Sequence, residues 1–124
     1  MKKEAIVLLG HGSRRSEAND ILKGITEIIK TKLDGKNVEY AYLEHAEPNI
    51  RDIIEKLAMD NFEIIYVMPY FLYSGNHVSR DIPKILNDYK EKYPKINIKL
   101  GDHIGIDERM AQLVTERIAS VKLA

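Results

Sequence analysis

The chain contains four histidines, His11, His45, His77 and His103, and no cysteine. Disulfides, thiolate metal cages and cysteine nucleophiles are therefore excluded, leaving imidazole and carboxylate as the strong metal ligands. His11 sits in Gly10-His11-Gly12-Ser13-Arg14, where flanking glycines allow a sharp turn and close approach of a bulky partner. His77 sits in Gly75-Asn76-His77-Val78-Ser79-Arg80 and shares with His11 the spacing His-x-Ser-Arg. Glu44, beside His45, is a carboxylate able both to ligate a divalent cation and to accept protons. Arg14, Arg15 and Arg80 can pair bidentately with carboxylates or phosphates. Tyr70, Phe71 and Tyr73 place aromatic surface just before His77, suited to covering a flat conjugated ligand. Plainer readings stand beside these. His45 suits an exposed polar position at a helix entrance, and His103, between Gly101 and Gly105, can cap a turn without chemistry. Glu44 can favour the positive end of the following helix, the arginines can be solvated surface charges, and at least one of the three aromatics is expected in the core.

Periodicity supplies the elements that must position these residues. The apolar run Ala5 to Leu9 suits a strand buried on both faces of a parallel sheet. From Ser16 to Leu33, the residues Ala18, Ile21, Leu22, Ile25, Ile28, Ile29 and Leu33 recur at helical steps. Val38 to Leu43 reads as a second strand, followed by a helix opening at Pro48 whose buried face is Ile50, Ile53, Ile54 and Leu57. Phe62 to Met68 is strongly β-prone and predicts a central third strand. Ser79 is expected to cap a third helix carrying Ile82, Ile85, Leu86 and Tyr89, with Pro83 in its first turn. A fourth strand over Ile96 to Leu100 precedes a last helix capped by Asp107 and built on Met110, Leu113, Val114, Ile118 and Val121.

Strand and helix thus alternate four times, which predicts an α/β fold: a four-stranded, mainly parallel sheet flanked by helices on both faces, as a single domain over residues 1–124. Ligands of such sheets bind outside the carboxyl ends of the strands, and each histidine follows one of the expected strands. Hydrophobic residues make up 44% of the 124 and charged residues 31%, an ordinary soluble balance. With Lys plus Arg and Asp plus Glu at 19 each, no global field draws the chain to nucleic acid or an anionic membrane. No apolar run reaches the length of a membrane span and no signal-peptide core follows Met1, so a cytoplasmic location is expected.

Two segments carry a family resemblance. Leu8-Leu9-Gly10-His11-Gly12-Ser13-Arg14 resembles the first histidine motif of the class II chelatases, and the stretch from Met68 to Pro83 resembles their second. Tyr42 to Pro48 is similar to the family segment that presents an acidic residue, and Ile104 to Met110 adds support near the end. The likeness is to the short form of the sirohydrochlorin cobaltochelatase family. It implies a chelatase-like four-stranded parallel sheet and insertion of a divalent metal into sirohydrochlorin. His11 and His77 would be the metal-binding and catalytic histidines, and Glu44 a supporting acid/base. Substrate contacts would come from Ser13, Arg14, Tyr70, Phe71, Gly75, Asn76 and Arg80. His45 stands where many relatives carry an apolar residue, so no role transfers to it.

The residue types suit that chemistry. Metallating a tetrapyrrole requires stripping water from a divalent ion, holding it with positions open, and removing two pyrrole N–H protons. Two neutral imidazoles release metal more readily than a thiolate cage, and an unperturbed imidazole, titrating near about 6.5, works close to neutral pH. No permanently bound cofactor is expected; the metal, Co2+ with Ni2+ and Fe2+ as alternatives, is a substrate, as is the tetrapyrrole. A homodimer is expected, because a flat macrocycle is wider than the mouth of one small sheet and larger chelatases of this class resemble two such domains fused. Two competing readings remain open at this point: a phosphoryl-transfer enzyme with His11 as nucleophile and Arg14 as phosphate clamp, and a non-catalytic metal or tetrapyrrole carrier.

Overall fold

The computed structural model describes residues 2–73 and 75–123, and for His77 its backbone. Eight elements alternate along it: β1 (Glu4–Gly10), α1 (Ser16–Lys32), β2 (Asn37–Tyr42), α2 (Ile50–Met59), β3 (Ile64–Pro69), α3 (Asn76–Lys92), β4 (Asn97–Leu100) and α4 (Glu108–Leu123). All strand pairs are parallel and lie in the order β2-β1-β3-β4, with Leu8 beside Tyr40 on one side and Met68 on the other. Central β1 is apolar on both faces because each face meets a helix layer.

Ala5, Val7 and Leu9 join Ile65, Val67 and Ile98 on the face covered by α2 and α3, which adds Ile50, Ile54, Leu57, Ile82 and Leu86 to one buried cluster. On the opposite face Leu8, Val38 and Tyr42 pack with Leu22 of α1. At the foot of the first cluster, the Glu55 carboxylate of α2 accepts hydrogen bonds from Lys92, at 2.6 Å, and from the Tyr93 hydroxyl, both at the end of α3. The Lys92 bond is the main cause holding the Glu55 carboxyl below the usual carboxylate range, with Tyr93 second. The clip is solvent-exposed, so it orients the two helices more than it stabilises them.

Each of the four helices departs from the sequence expectation in one respect. On α1 only Leu22 and Thr26 are buried, while Ile21 and Ile28 are exposed. Thr26 is tolerated because its hydroxyl donates to the Leu22 carbonyl. Helix α3 begins at Asn76, three residues before Ser79, whose amide already donates back to Gly75. Pro83 consequently falls inside the helix rather than in its first turn, and the Ser79 carbonyl lacks the N–H four residues on. Helix α4 forms where expected, and Asp107 does cap it: the carboxylate accepts from the Arg109 amide at 2.8 Å. The Arg109 guanidinium beside that carboxylate lowers its pKa to about 2, so the cap stays charged at neutral pH. The apolar stripe of α4, however, is not core; no residue of that helix is buried. Among the described residues no helix is long and apolar enough to cross a membrane.

Helix α2 starts at Ile50 rather than Pro48, because Asn49 is its cap. The Asn49 side chain accepts from the Arg51 amide at 2.9 Å and donates to the Leu43 carbonyl at 3.3 Å. One side chain thus fixes both the helix start and the loop bearing Glu44. Asn49→Ala is expected to lower stability by about 1 kcal/mol, read as a shift in urea midpoint at unchanged m-value.

Candidate active site

The carboxyl ends of β1, β2 and β3 deliver three loops to one edge of the sheet, and hydrogen bonds stitch them together. Past the end of β1 and β2, Leu43 donates to the Gly10 carbonyl and Glu44 to the His11 carbonyl, each at 3.0 Å. The pairing of β1 with β2 is therefore extended by two residues into the loops. Gly12 has a φ of +91°, and a Cβ there would lie 1.7 Å from the Glu44 carbonyl oxygen. Only glycine admits both the positive φ and this contact. His11 and Glu44 are held as neighbours by backbone, whatever their side chains do.

His11 is exposed, and its ring leans on Phe71 with centroids 4.5 Å apart at 39°. Phe71 is itself buried, which satisfies the expectation that one of the three aromatics is core. It supports the imidazole and also borders the hollow beside it. Tyr70 is half-buried, tied by its amide to the Leu9 carbonyl at 2.7 Å, and Tyr73 is exposed. A hollow of about 240 Å3 opens beside His11, Ser13, Asn19, Tyr42 and Tyr70.

Ser13 is spent on its own loop. Its amide donates to the Asn19 side chain at 2.9 Å, its carbonyl accepts from Asn19 at 2.8 Å, and its hydroxyl accepts from the Arg15 amide at 3.1 Å. Asn19 in turn accepts, through its carbonyl, the Tyr42 hydroxyl at 2.6 Å. Burial, with Tyr40 and Asp20 adding to it, pushes the Tyr42 phenol above its ordinary range, so it stays a neutral donor. Asn19 and Tyr42 escape a reading by sequence because neither lies in a motif; one is a polar residue on a helix and the other ends a strand.

Arg14 and Arg80 are exposed and in no ion pair among the described residues, whereas Arg15 reaches Glu17 at 3.6 Å. Glu44 is exposed and lies 3.6 Å from the His45 imidazole, with His45 at a φ of +64°. His45 thus belongs to the rim of the same loop pair. Gly75 and Asn76 stand exposed at the start of α3, Gly75 as the residue before its first turn. His77 is the second residue of that helix, and its side chain lies outside the described residues. His103 is exposed on the segment after β4, beside Leu72 and Tyr73 and apart from the hollow at His11. Among the described residues no three His, Asp or Glu side chains converge as a closed metal cage.

Comparison with known proteins places these motifs in context. Residues 5–121 match the CbiX family model. The sirohydrochlorin cobaltochelatase of Sulfurisphaera tokodaii is 33% identical over 94% of this chain and 92% of its own length. The chloroplastic sirohydrochlorin ferrochelatase of Arabidopsis thaliana is 30% identical over 93% of this chain and 51% of its own length. The crystal structure of the sirohydrochlorin chelatase SirB from Bacillus subtilis subspecies spizizenii, in complex with cobalt, superposes with a TM-score of 0.88 at 32% identity, over 96% of this chain and 51% of that one.

The geometry makes Gly12 the most constrained position at this edge. Gly12→Ala is expected to cost more than about 2 kcal/mol, from the unfavourable φ and the forced separation of the two loops. Thermal unfolding and amide chemical shifts of His11 and Glu44 check this; unchanged shifts there would contradict it.

Proposed function

We infer that this chain, which belongs to the CbiX family, is a sirohydrochlorin chelatase that inserts a divalent metal ion into the tetrapyrrole, with cobalt as its metal. The observation that carries the site assignment is the backbone pairing of the His11 and Glu44 loops at the edge to which α3 also brings His77. Cobalt is favoured because the Sulfurisphaera cobaltochelatase matches over 92% of its own length, the Arabidopsis ferrochelatase over 51%. Nickel is a second candidate substrate, since imidazole and carboxylate ligands accept both ions.

In this reading His11 and His77 are the metal-binding imidazoles. Phe71, tilted against His11, supports the ring at the wall of the hollow that both residues line. Entry of a doubly charged ion displaces two pyrrole protons, which keeps the charge of the macrocycle balanced. Glu44, exposed and held beside His11, takes those protons one at a time, releasing the first to solvent before it accepts the second. Arg14 and Arg80, exposed and in no ion pair among the described residues, are the guanidinium partners for the carboxylates that fringe the substrate. Tyr70 borders the hollow and contributes aromatic surface to the macrocycle. The contributions of Gly75 and Asn76 are steric, leaving the approach to α3 uncluttered, and that of Ser13 is to shape the loop. A metal held by few protein ligands is readily given up, which suits an ion that is substrate rather than resident.

The whole chain acts as one chelatase unit, and the working assembly is a homodimer. At about 240 Å3 the hollow beside His11 is smaller than the roughly 300–1,000 Å3 that enclose drug-sized ligands, so a macrocycle needs another surface to cover it.

Insertion is read as the absorbance change on mixing the protein with excess sirohydrochlorin and Co2+, Ni2+ or Fe2+ in turn. Multiple turnovers are expected, fastest with cobalt; a change that stops at one equivalent of protein would mark a carrier instead. His11→Ala and His77→Ala are each expected to reduce turnover by more than about a hundredfold, beyond the loss seen on removing a ligand's outer partner, with unchanged far-ultraviolet circular dichroism. Near-normal turnover in His77→Ala would remove the two-histidine mechanism.

A further inference from the structure

His45 plays no part in the reading above, yet its ring is fixed in an unusual way. Along an extended chain successive side chains point to opposite sides, so Glu44 and His45 would diverge. Instead His45 has a φ of +64°, a left-handed conformation disfavoured for any residue with a Cβ, and its Nε2 lies 3.6 Å from Glu44 Oε1. The turn is tied at both ends: the Tyr42 amide donates to the Pro48 carbonyl at 2.9 Å, and the Asn49 side chain donates to the Leu43 carbonyl at 3.3 Å. Backbone in such a region persists only where its surroundings enforce it, and such residues cluster at sites that meet ligands.

The separation says what the pair can do. At 3.6 Å it is longer than a hydrogen bond, and an ion pair between two solvent-reaching side chains contributes little to stability. Two donors to one first-row divalent ion are spaced differently. At about 2.1 Å from the ion and a tetrahedral angle to each other, a nitrogen and an oxygen stand about 3.4 Å apart, close to the separation found here. Imidazole and carboxylate are donors that cobalt, nickel and iron accept. With only two of them the remaining positions stay with water, so an ion held here exchanges readily. Both side chains reach solvent, and neither lines the hollow beside His11. A cation can therefore settle on the pair and leave that hollow open.

Glu44 is shared between this pair and the site. Its amide donates to the His11 carbonyl at 3.0 Å, so it is joined by backbone to His11 across the loops and to His45 along the chain. We propose that Glu44 and His45 form a capture site for the divalent ion. The pair takes the hydrated cation from solvent, replacing two of its waters, and yields it to His11 and His77, whose imidazoles take over those positions. Once the ion has moved on, the Glu44 carboxylate is free to accept pyrrole protons, so its two uses follow one another. The inference rests on the chelatase reading and adds to it a residue to which no role transfers from the family.

Capture and insertion can be tested apart. In the full chain carrying His11→Ala and His77→Ala the insertion ligands are gone and the pair is intact. Co2+ alone, without tetrapyrrole, is expected to shift and broaden the side-chain resonances of His45 and Glu44 more than those of His103. Adding His45→Asn, which tolerates a left-handed φ but carries no imidazole, is expected to weaken Co2+ binding by at least about tenfold, the least that losing even a ligand's outer partner costs. Glu44→Gln, of the same shape without the charge, is expected to do the same. In the otherwise unsubstituted chain, His45→Asn is expected to raise the Michaelis constant for Co2+ by at least about tenfold and to change turnover at saturating Co2+ by less than about twofold. His45 resonances unmoved by Co2+, or binding and a Michaelis constant unchanged in His45→Asn, overturn the capture site and leave the chelatase reading standing. An unsubstituted chain with no turnover on cobalt, nickel or iron removes the chelatase reading and the handover with it.

Discussion

The contact on which the site depends is between two stretches of backbone. Gly12 lies so close to the Glu44 carbonyl that no side chain fits between them, and the Glu44 amide donates to His11 in the same place. This continues the β1–β2 ladder past the point where the sheet formally ends. An imidazole and a carboxylate are thereby set side by side by the most rigid part of the fold. The surrounding bonds of Ser13, Asn19 and Tyr42 then keep the His11 loop from shifting while the side chains stay exposed and available. Rigid support beneath and open access above is what a group that meets substrate requires.

Much of this was legible in the sequence because it rests on period and punctuation. The apolar run at β1, the Ile50, Ile53, Ile54, Leu57 stripe of α2, and the Asp107 cap each express a local preference that tertiary packing reinforced. The glycines around His11 signalled a tight turn, though not what the turn approached. That information is tertiary: nothing in Gly12 names Glu44 as the residue whose carbonyl fills the space. The same limit hid Asn19, whose side chain serves a loop six residues away. Periodicity also cannot say how wide a face is buried, or by which chain. Ile21 and Ile28 fit the helical repeat of α1 as well as Leu22 does, but the sheet reaches only the narrow strip around Leu22 and Thr26.

Helix α4 shows that limit at its largest. Its stripe reads as core, and in the single chain it is surface. A fold that covers one sheet face with α2 and α3 and half of the other with α1 has used three of its four helices to bury a core, and the fourth is directed outward by hydrogen bonds at its root. Local pattern and single-chain packing disagree here, in a chain whose other elements agree across both levels. Such a disagreement leaves α4 with an exposed apolar stripe that the single chain does not cover.

Tyr70 connects the uncovered half of the α1 face to the chemistry. It borders the open apolar groove there on one side and the hollow beside His11 on the other, and the hydrogen bond its amide donates to the Leu9 carbonyl pins it between them. The connector to α4 leans on the neighbouring Phe71 and Leu72 carbonyls, while the Phe71 ring carries His11. The short segment of residues 70–72 thus borders the groove through Tyr70, anchors the connector through the carbonyls of Phe71 and Leu72, and supports the imidazole through the Phe71 ring. In a chain this small the hollow beside His11 and the apolar groove share one wall, so a change in the packing of either reaches the other through Tyr70.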